Sequence, residues 1–155
     1  MMGSSMPMWV KIQESAFDIA ALQSDLLGDA NLEGAIATFT GYVRVSNDER
    51  TVESLELEHY PGMTEKSIED ILRQASERWP LLAAGVVHRV GLMHPGDPIV
   101  WVGTASGHRE AAFNACEFVM DFLKTRAPFW KKEIGPEGER WIDARESDAG
   151  RAERW

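Results

Sequence analysis

Two hydrophobic periods alternate along the chain, a period of two that marks strands and a period near 3.6 that marks helices. Trp9 to Glu14 alternates and predicts a first strand. Ser15, with Asp18 three residues on, reads as a capping box that opens a helix through Leu27, which Gly28 and Asp29 end. Gly34 to Val43 is β-rich and nearly continuously apolar, which predicts a central strand. Val52 to Tyr60 sets Leu55 and Leu57 on one face and Glu56 and Glu58 on the other, as in a half-buried strand. Pro61-Gly62 turns the chain, and Met63 to Trp79 is an amphipathic helix that buries Ile68, Ile71, Leu72 and Ala75. Gly85 to Leu92 and Ile99 to Ala105 read as strands joined through the turn His94-Pro95-Gly96-Asp97. A third helix runs from His108 to about Ala127, with Ala112, Cys116, Val119 and Leu123 on one stripe, and Pro128 stops it. Pro136-Glu137-Gly138 then turns between two short β-like pieces. The pattern predicts an α+β fold, a mixed or antiparallel sheet with three main helices. It forms one domain over 9–155 after a disordered or foreign leader, 1–8.

Composition narrows the function classes. The 155 residues carry a net charge of -9, which argues against general nucleic-acid binding through a basic surface. The one cysteine, Cys116, excludes an internal disulfide and a cysteine-rich metal site. Its place in the middle of the apolar stripe reads as core rather than nucleophile. His59, His88 and His94 stand apart, with no ligand-like spacing, so neither a metal nor a cofactor is expected, and His59 and His88 read as strand residues satisfied locally. Met1 to Lys11 lacks the pattern of a secretory signal, and the longest apolar stretch, Leu81 to Val87, is too short to span a bilayer. The expected compartment is the cytoplasm.

Against this acidic background, Leu123 to Glu133 holds four cations, Lys124, Arg126, Lys131 and Lys132, and one carboxylate, Glu133. Phe129 and Trp130 lie between the pairs, and cations beside aromatic surface suit a flat anionic ligand. The competing reading of Lys124 and Arg126 is simple capping of a helix C-terminus, where cations are favoured. Arg44 ends the apolar strand just before a polar run and has the geometry to bind phosphate or carboxylate; the competing reading is a surface arginine. His108 and Arg109 put positive charge on the already positive start of the third helix, a conflict that a bound anion relieves. No Walker loop, no G-x-G-x-x-G and no G-x-S-x-G occurs. Lysine and arginine chemistry around a small anion remains, since lysine orients phosphates, stabilises oxyanions or attacks carbonyls.

Four segments together resemble the large, catalytic subunit of molybdopterin synthase: Glu58-His59-Tyr60-Pro61-Gly62-Met63-Thr64, Gly107-His108-Arg109, Leu123 to Lys131, and Ala144-Arg145-Glu146-Ser147. Order and spacing hold from about Trp9 to Trp155. The resemblance implies an α+β fold with an α/β-hammerhead-like portion. It implies a sulfurtransferase that converts cyclic pyranopterin monophosphate into molybdopterin by adding a dithiolene. The sulfur arrives on a small ubiquitin-like partner whose Gly-Gly C-terminus is a thiocarboxylate, and two large subunits form the core of a heterotetramer. Matched position by position, Lys124 and Lys131 are the catalytic residues. Tyr42, Val43 and Arg44 line the pterin site, His108 and Arg109 bind the substrate, Lys132 and Glu133 complete the wall, and Arg145 contributes. The residues alone leave two other readings open: an adaptor that only docks a ubiquitin-like tail, and a lysine Schiff-base enzyme.

His108 and Lys124 lie at opposite ends of one predicted helix, about sixteen residues and so roughly 24 Å apart. Nothing in the stripe between them predicts a break. A pterin monophosphate is far shorter than that. Two-fold symmetry, with His108 and Arg109 acting in trans to Lys124 and Lys131, is the arrangement this predicts.

Overall fold

The computed structural model describes residues 6–47, 49–142 and 151–155. Among the described residues, three α-helices and ten strands follow one another as β1 (Met8–Gln13), α1 (Ile19–Asp25), β2 (Ala35–Tyr42), β3 (Ser46–Asn47), β4 (Arg50–Thr51), β5 (Ser54–His59), α2 (Met63–Arg78), β6 (Leu81–Arg89), β7 (Gly91–Met93), β8 (Pro98–Ser106), α3 (Arg109–Arg126), β9 (Phe129–Gly135) and β10 (Gly138–Ile142). A helical turn over 151–153 precedes the terminal Trp155. The class is α+β. The first sheet is mixed, in the order β1-β6-β8-β2, with β1 parallel to β6 and the other pairs antiparallel. The second is antiparallel, in the order β10-β9-β5-β7, and β3-β4 is a small separate hairpin.

The first sheet is covered on both faces. Against one face α2 and α3 bury Ile68, Ile71, Leu72, Phe118 and Val119 on Val86 and Val102. Against the other, Trp101, Val87 and Leu26 form a second cluster with Trp9 and Leu22 around it. This explains why Gly34 to Val43 reads as a central strand and is an edge strand instead. A continuous apolar run reports cover on both faces of a strand; it does not report its lateral place in the sheet. Ala37 faces the α3 side and Ile36 the Trp101 side.

Two further expectations change. The first helix is capped by Asp18, not Ser15: Asp18 Oδ1 accepts from the N–H groups of Ala20 and Ala21, at 3.0 and 3.2 Å. That N-cap sits three residues later than the sequence pattern predicts, and α1 ends at Asp25 rather than Leu27. The hairpin through His94–Asp97 also takes a detour. Strands β6 and β8 pair as expected, but β7 leaves between them to pair with β5 in the second sheet, using Gly91 at φ 86. The third helix and its stop agree with the sequence. Helix α3 runs unbroken from Arg109 to Arg126, and Ala127 leaves it with extended backbone. The close start of β2 and α3 depends on Gly34, where an added Cβ would lie 2.1 Å from the Gly107 carbonyl oxygen.

The C-terminal residues close on the body chiefly through the buried carboxylate of Asp121, with Glu117 also pairing Arg151 and Arg154. Asp121, only 5% exposed, accepts from Trp155 Nε1, Arg151 and Arg154. The Trp155 ring packs edge-on against Trp79 and Phe118, and its carbonyl accepts from Arg78. Burial pushes the Asp121 carboxyl upward, but the donors from Trp155, Arg154 and Arg151 outweigh it and hold the group below the ordinary carboxylate range. A carboxyl lowered in the fold stabilises it above the unfolded value, near about 4, and loses that contribution as pH falls through the folded value. Asp121→Asn is expected to lower stability at pH 7 by about 1–2 kcal/mol, the arginines being partly exposed, and to flatten the acid limb of the curve. Thermal melts of both proteins between pH 2 and 7 check this; superimposable curves would refute the clamp.

Candidate functional site

The last turn of α3 presents Lys124 and Arg126 at the carbonyl end of the helix, where cations are favoured. Arg126 is committed to structure: it donates to Gln74 Oε1 at 3.0 Å and covers the Phe122 ring at 4.0 Å. Lys124 is exposed and lines a groove of about 660 Å³ between β2 and α3, together with Phe39, Phe113, Met120 and Glu117. Phe39 and Phe113 stand 41% and 65% exposed, so the groove offers flat apolar walls with a cation at its rim.

Past Pro128 the chain bends into β9, and Lys131 is the third residue of that strand. Alternation along β9 decides which neighbours share the site. Lys131 and Glu133 project on the face of Leu55 and Leu57, their register partners. Glu133 is 6% exposed and accepts from Arg140 at 3.3 Å. Lys132 projects on the opposite face, bridged to Glu56 at 3.3 Å and Glu139 at 3.6 Å and lying over the Trp141 ring. The bond to Glu56 raises its pKa above the ordinary lysine value. Sequence adjacency groups Lys131 with Lys132; the pleat separates them.

A small cleft of about 50 Å³ collects Tyr42, Val43, Arg44, Lys131 and Glu133. Its N-terminal side is set by backbone bonds: Val43 N–H donates to the Asp97 carbonyl at 3.0 Å, and Gly96 N–H donates to the Val43 carbonyl at 2.8 Å. Val43 is therefore buried, while Tyr42 and Arg44 are exposed on either side of it. The residues predicted from the two ends of β2 and β9 thus meet in one chain.

His88 lies close enough to both Lys124 and Lys131 to feel their charge. It is buried in β6, its ring stacked on Phe129 with centroids 3.9 Å apart, and its Nδ1 lies 2.8 Å from the Arg89 carbonyl. Burial, with added repulsion from Lys124, His59 and Lys131, drives its pKa down to about 3 against the opposing hydrogen bond to Arg89. The imidazole is neutral at physiological pH, with Nδ1 donating to that carbonyl. Sequence reading found the local hydrogen bond of His88 but not its nearness to both lysines. The only signal was the Glu58-to-Thr64 segment, whose His59 pairs in register with Phe129.

Other expected residues lie elsewhere. His108 is the N-cap of α3 and Arg109 its first residue, both exposed, at the far end of the helix from Lys124. Arg145 and its motif lie outside the described residues. Cys116 is buried on the α3 stripe, and burial pushes its thiol up to about 12, so it is no thiolate at neutral pH. Among the described residues no group of three His, Cys, Asp or Glu side chains is placed to hold a metal, and no helix is long and apolar enough to cross a membrane.

With this geometry established, comparison places the chain. The family model described as MoaE protein matches residues 12–126. The chain belongs to the MoaE family. The molybdopterin synthase catalytic subunit of Pseudomonas aeruginosa is 53% identical over 152 residues, covering 96% of this chain and 99% of that one. Among solved structures, the molybdopterin biosynthesis MoaE protein of Burkholderia ambifaria superposes with a TM-score of 0.81 at 48% identity, covering 97% and 98% of the two chains. The molybdopterin synthase of Staphylococcus aureus gives 0.80 at 30% identity, covering 86% of this chain and 96% of the other. Family membership spans the groove, the bend's approach and both ends of α3.

The buried neutral His88 makes a pH prediction. A histidine lowered from 6.5 to about 3 binds fewer protons folded than unfolded between those values. Stability therefore falls as pH drops below about 6.5, by at most about 1.4 kcal/mol per pH unit from this group. His88→Phe, which keeps a ring on Phe129, is expected to show a shallower loss between pH 6.5 and 4. Equal slopes in denaturant titrations of the two proteins would show that His88 is not buried neutral.

Proposed function

We propose that this chain is the catalytic subunit of a molybdopterin synthase. It transfers sulfur from the C-terminal thiocarboxylate of a small ubiquitin-like subunit to cyclic pyranopterin monophosphate, forming the dithiolene of molybdopterin. The observation that carries this reading is the pair Lys124 and Lys131 on the two sides of one bend, Lys124 at the rim of the apolar groove and Lys131 in the small cleft with Arg44. The chain around them is 53% identical to a relative named as that subunit. A subunit so named is one part of a larger enzyme, which fits a partner that delivers the sulfur. The reaction belongs in the cytoplasm.

Each side chain has a task in this reading. The aromatic walls of the groove, Phe39 and Phe113, take the flat pterin. The ammonium groups of Lys124 and Lys131 sit where negative charge develops as the thiocarboxylate sulfur attacks, and stabilise it electrostatically. Arg44 anchors an anionic group of the substrate or of the partner's tail. The chain's own thiol takes no part, because Cys116 is protonated and buried. His88 stays neutral and so adds no third positive charge beside the lysines. His108 and Arg109 come from the second copy of a dimer, since α3 holds them about 24 Å from the Lys124 of their own chain.

Reconstitution tests the proposal. The purified chain, thiocarboxylated small subunit and cyclic pyranopterin monophosphate are expected to yield the dithiolene product. Lys124→Ala is expected to cut turnover at least a hundredfold, about 2.7 kcal/mol of barrier, while stability changes by a few tenths of a kcal/mol, as for an exposed helix-end cation. Tail binding without product from the wild-type chain would instead establish an adaptor. Near-normal turnover in Lys124→Ala would remove Lys124 from the catalytic role.

A further inference from the structure

The segment His59 to Thr64 contributes no side chain to the groove or the cleft, yet it abuts the bend between the two lysines. Thr64 is wholly buried, at 0% exposure, in the first turn of α2. Its hydroxyl accepts from Tyr60 N–H at 2.9 Å and donates to the Pro128 carbonyl at 3.0 Å. A hydroxyl has one proton, so the bond from Tyr60 leaves that proton for Pro128. The Thr64 N–H donates in turn to the Tyr60 carbonyl at 2.9 Å, which holds the residue from both sides. Gly62, at φ 86, permits the tight entry, and Glu65 Oε1 accepts from its N–H at 2.7 Å.

Pro128 lies at the middle of the bend and has no N–H, so its carbonyl is its only backbone handle. The next residue is fixed independently. Phe129 N–H donates to the Ala127 carbonyl at 2.9 Å, and the Phe129 ring lies on His88. Lys124 is one turn of helix before the bend, and Lys131 is the third residue after it. A valine would fill the space of Thr64 equally well, but it would leave the Tyr60 N–H and the Pro128 carbonyl without their partner. The hydroxyl is therefore explained by the tie to the bend and not by packing.

Resting on the function proposed above, we infer that Thr64 is a positioning residue. Its bond to the Pro128 carbonyl, with the His88–Phe129 stack, fixes the bend that sets Lys124 and Lys131 relative to each other.

The test compares Thr64→Val and Thr64→Ser in the reconstituted synthase, with amide hydrogen exchange read on the same proteins. Thr64→Val is expected to lower kcat at least tenfold with KM for the pterin within twofold of wild type, and Thr64→Ser to return kcat to within threefold. Amides of Phe129 to Lys131 are expected to exchange at least tenfold faster in Thr64→Val, at the wild-type rate in Thr64→Ser, and with the α3 amides unchanged in both. A Thr64→Val protein with wild-type kcat and exchange overturns the inference, as does a serine variant impaired as much as the valine one. If Thr64→Val does not fold, Thr64→Ala, which also removes the hydroxyl, carries the same two readouts against Thr64→Ser with the same criteria. If the wild-type chain makes no product, the functional reading fails, and the exchange data alone still decide whether Thr64 holds the bend.

Discussion

An unbroken helix is the constraint on which the rest of the site depends. Helix α3 lies along the first sheet with Ala112, Cys116, Val119 and Leu123 buried beneath it. It has no Gly or Pro between Arg109 and Arg126 to bend it. Its length therefore fixes the separation of the cations at its two ends. His108 and Arg109 mark one end and Lys124 the other, and no side-chain motion brings them to one small ligand. The core that stabilises the helix is also what divides its functional groups.

The C-terminal end of α3 is where several elements converge. Proline ends the helix, β9 starts after one sharp bend, and the pleat of β9 sends Lys131 and Glu133 to one face and Lys132 to the other. Strand β2 brings Tyr42 to Arg44 alongside through its bonds to the turn at Asp97. The buried ring of His88 and the hydroxyl of Thr64 pack against the same bend from two other elements. Electrostatics follow from this packing. The imidazole that feels both lysines is too deeply buried to carry charge, so it adds no third cation to a local cationic cluster in a chain of net charge -9.

Much of this was legible in the sequence, and the reasons are local. The helical stripes of α2 and α3, the Pro128 stop and the alternation of β5 are short-range patterns that solvent exposure writes directly into residue order. The misreadings arose where the deciding contact is distant. The run from Gly34 to Val43 recorded cover on two faces but could not record the missing neighbour at the sheet edge. Ser15 and Asp18 are both good caps, and only the backbone path selects Asp18. At the site, Lys124 and Lys131 stood out because cations beside aromatics are conspicuous in an acidic chain, and Arg44 because it ends an apolar strand just before a polar run. Thr64 and His88 did not, because a buried threonine and a strand histidine look like ordinary core until Thr64 and Pro128, sixty-four positions apart, are folded together.

The central claim is that each catalytic site is shared between two copies of the chain, and subunit mixing tests it most directly. Lys124→Ala and Arg109→Ala chains, each inactive alone, would be combined as heterodimers and assayed with thiocarboxylated partner and cyclic pyranopterin monophosphate. The account predicts recovery of up to one working site in two, because one of the two composite sites then holds an intact Lys124 and an intact Arg109. Heterodimers that form but recover no activity would contradict it.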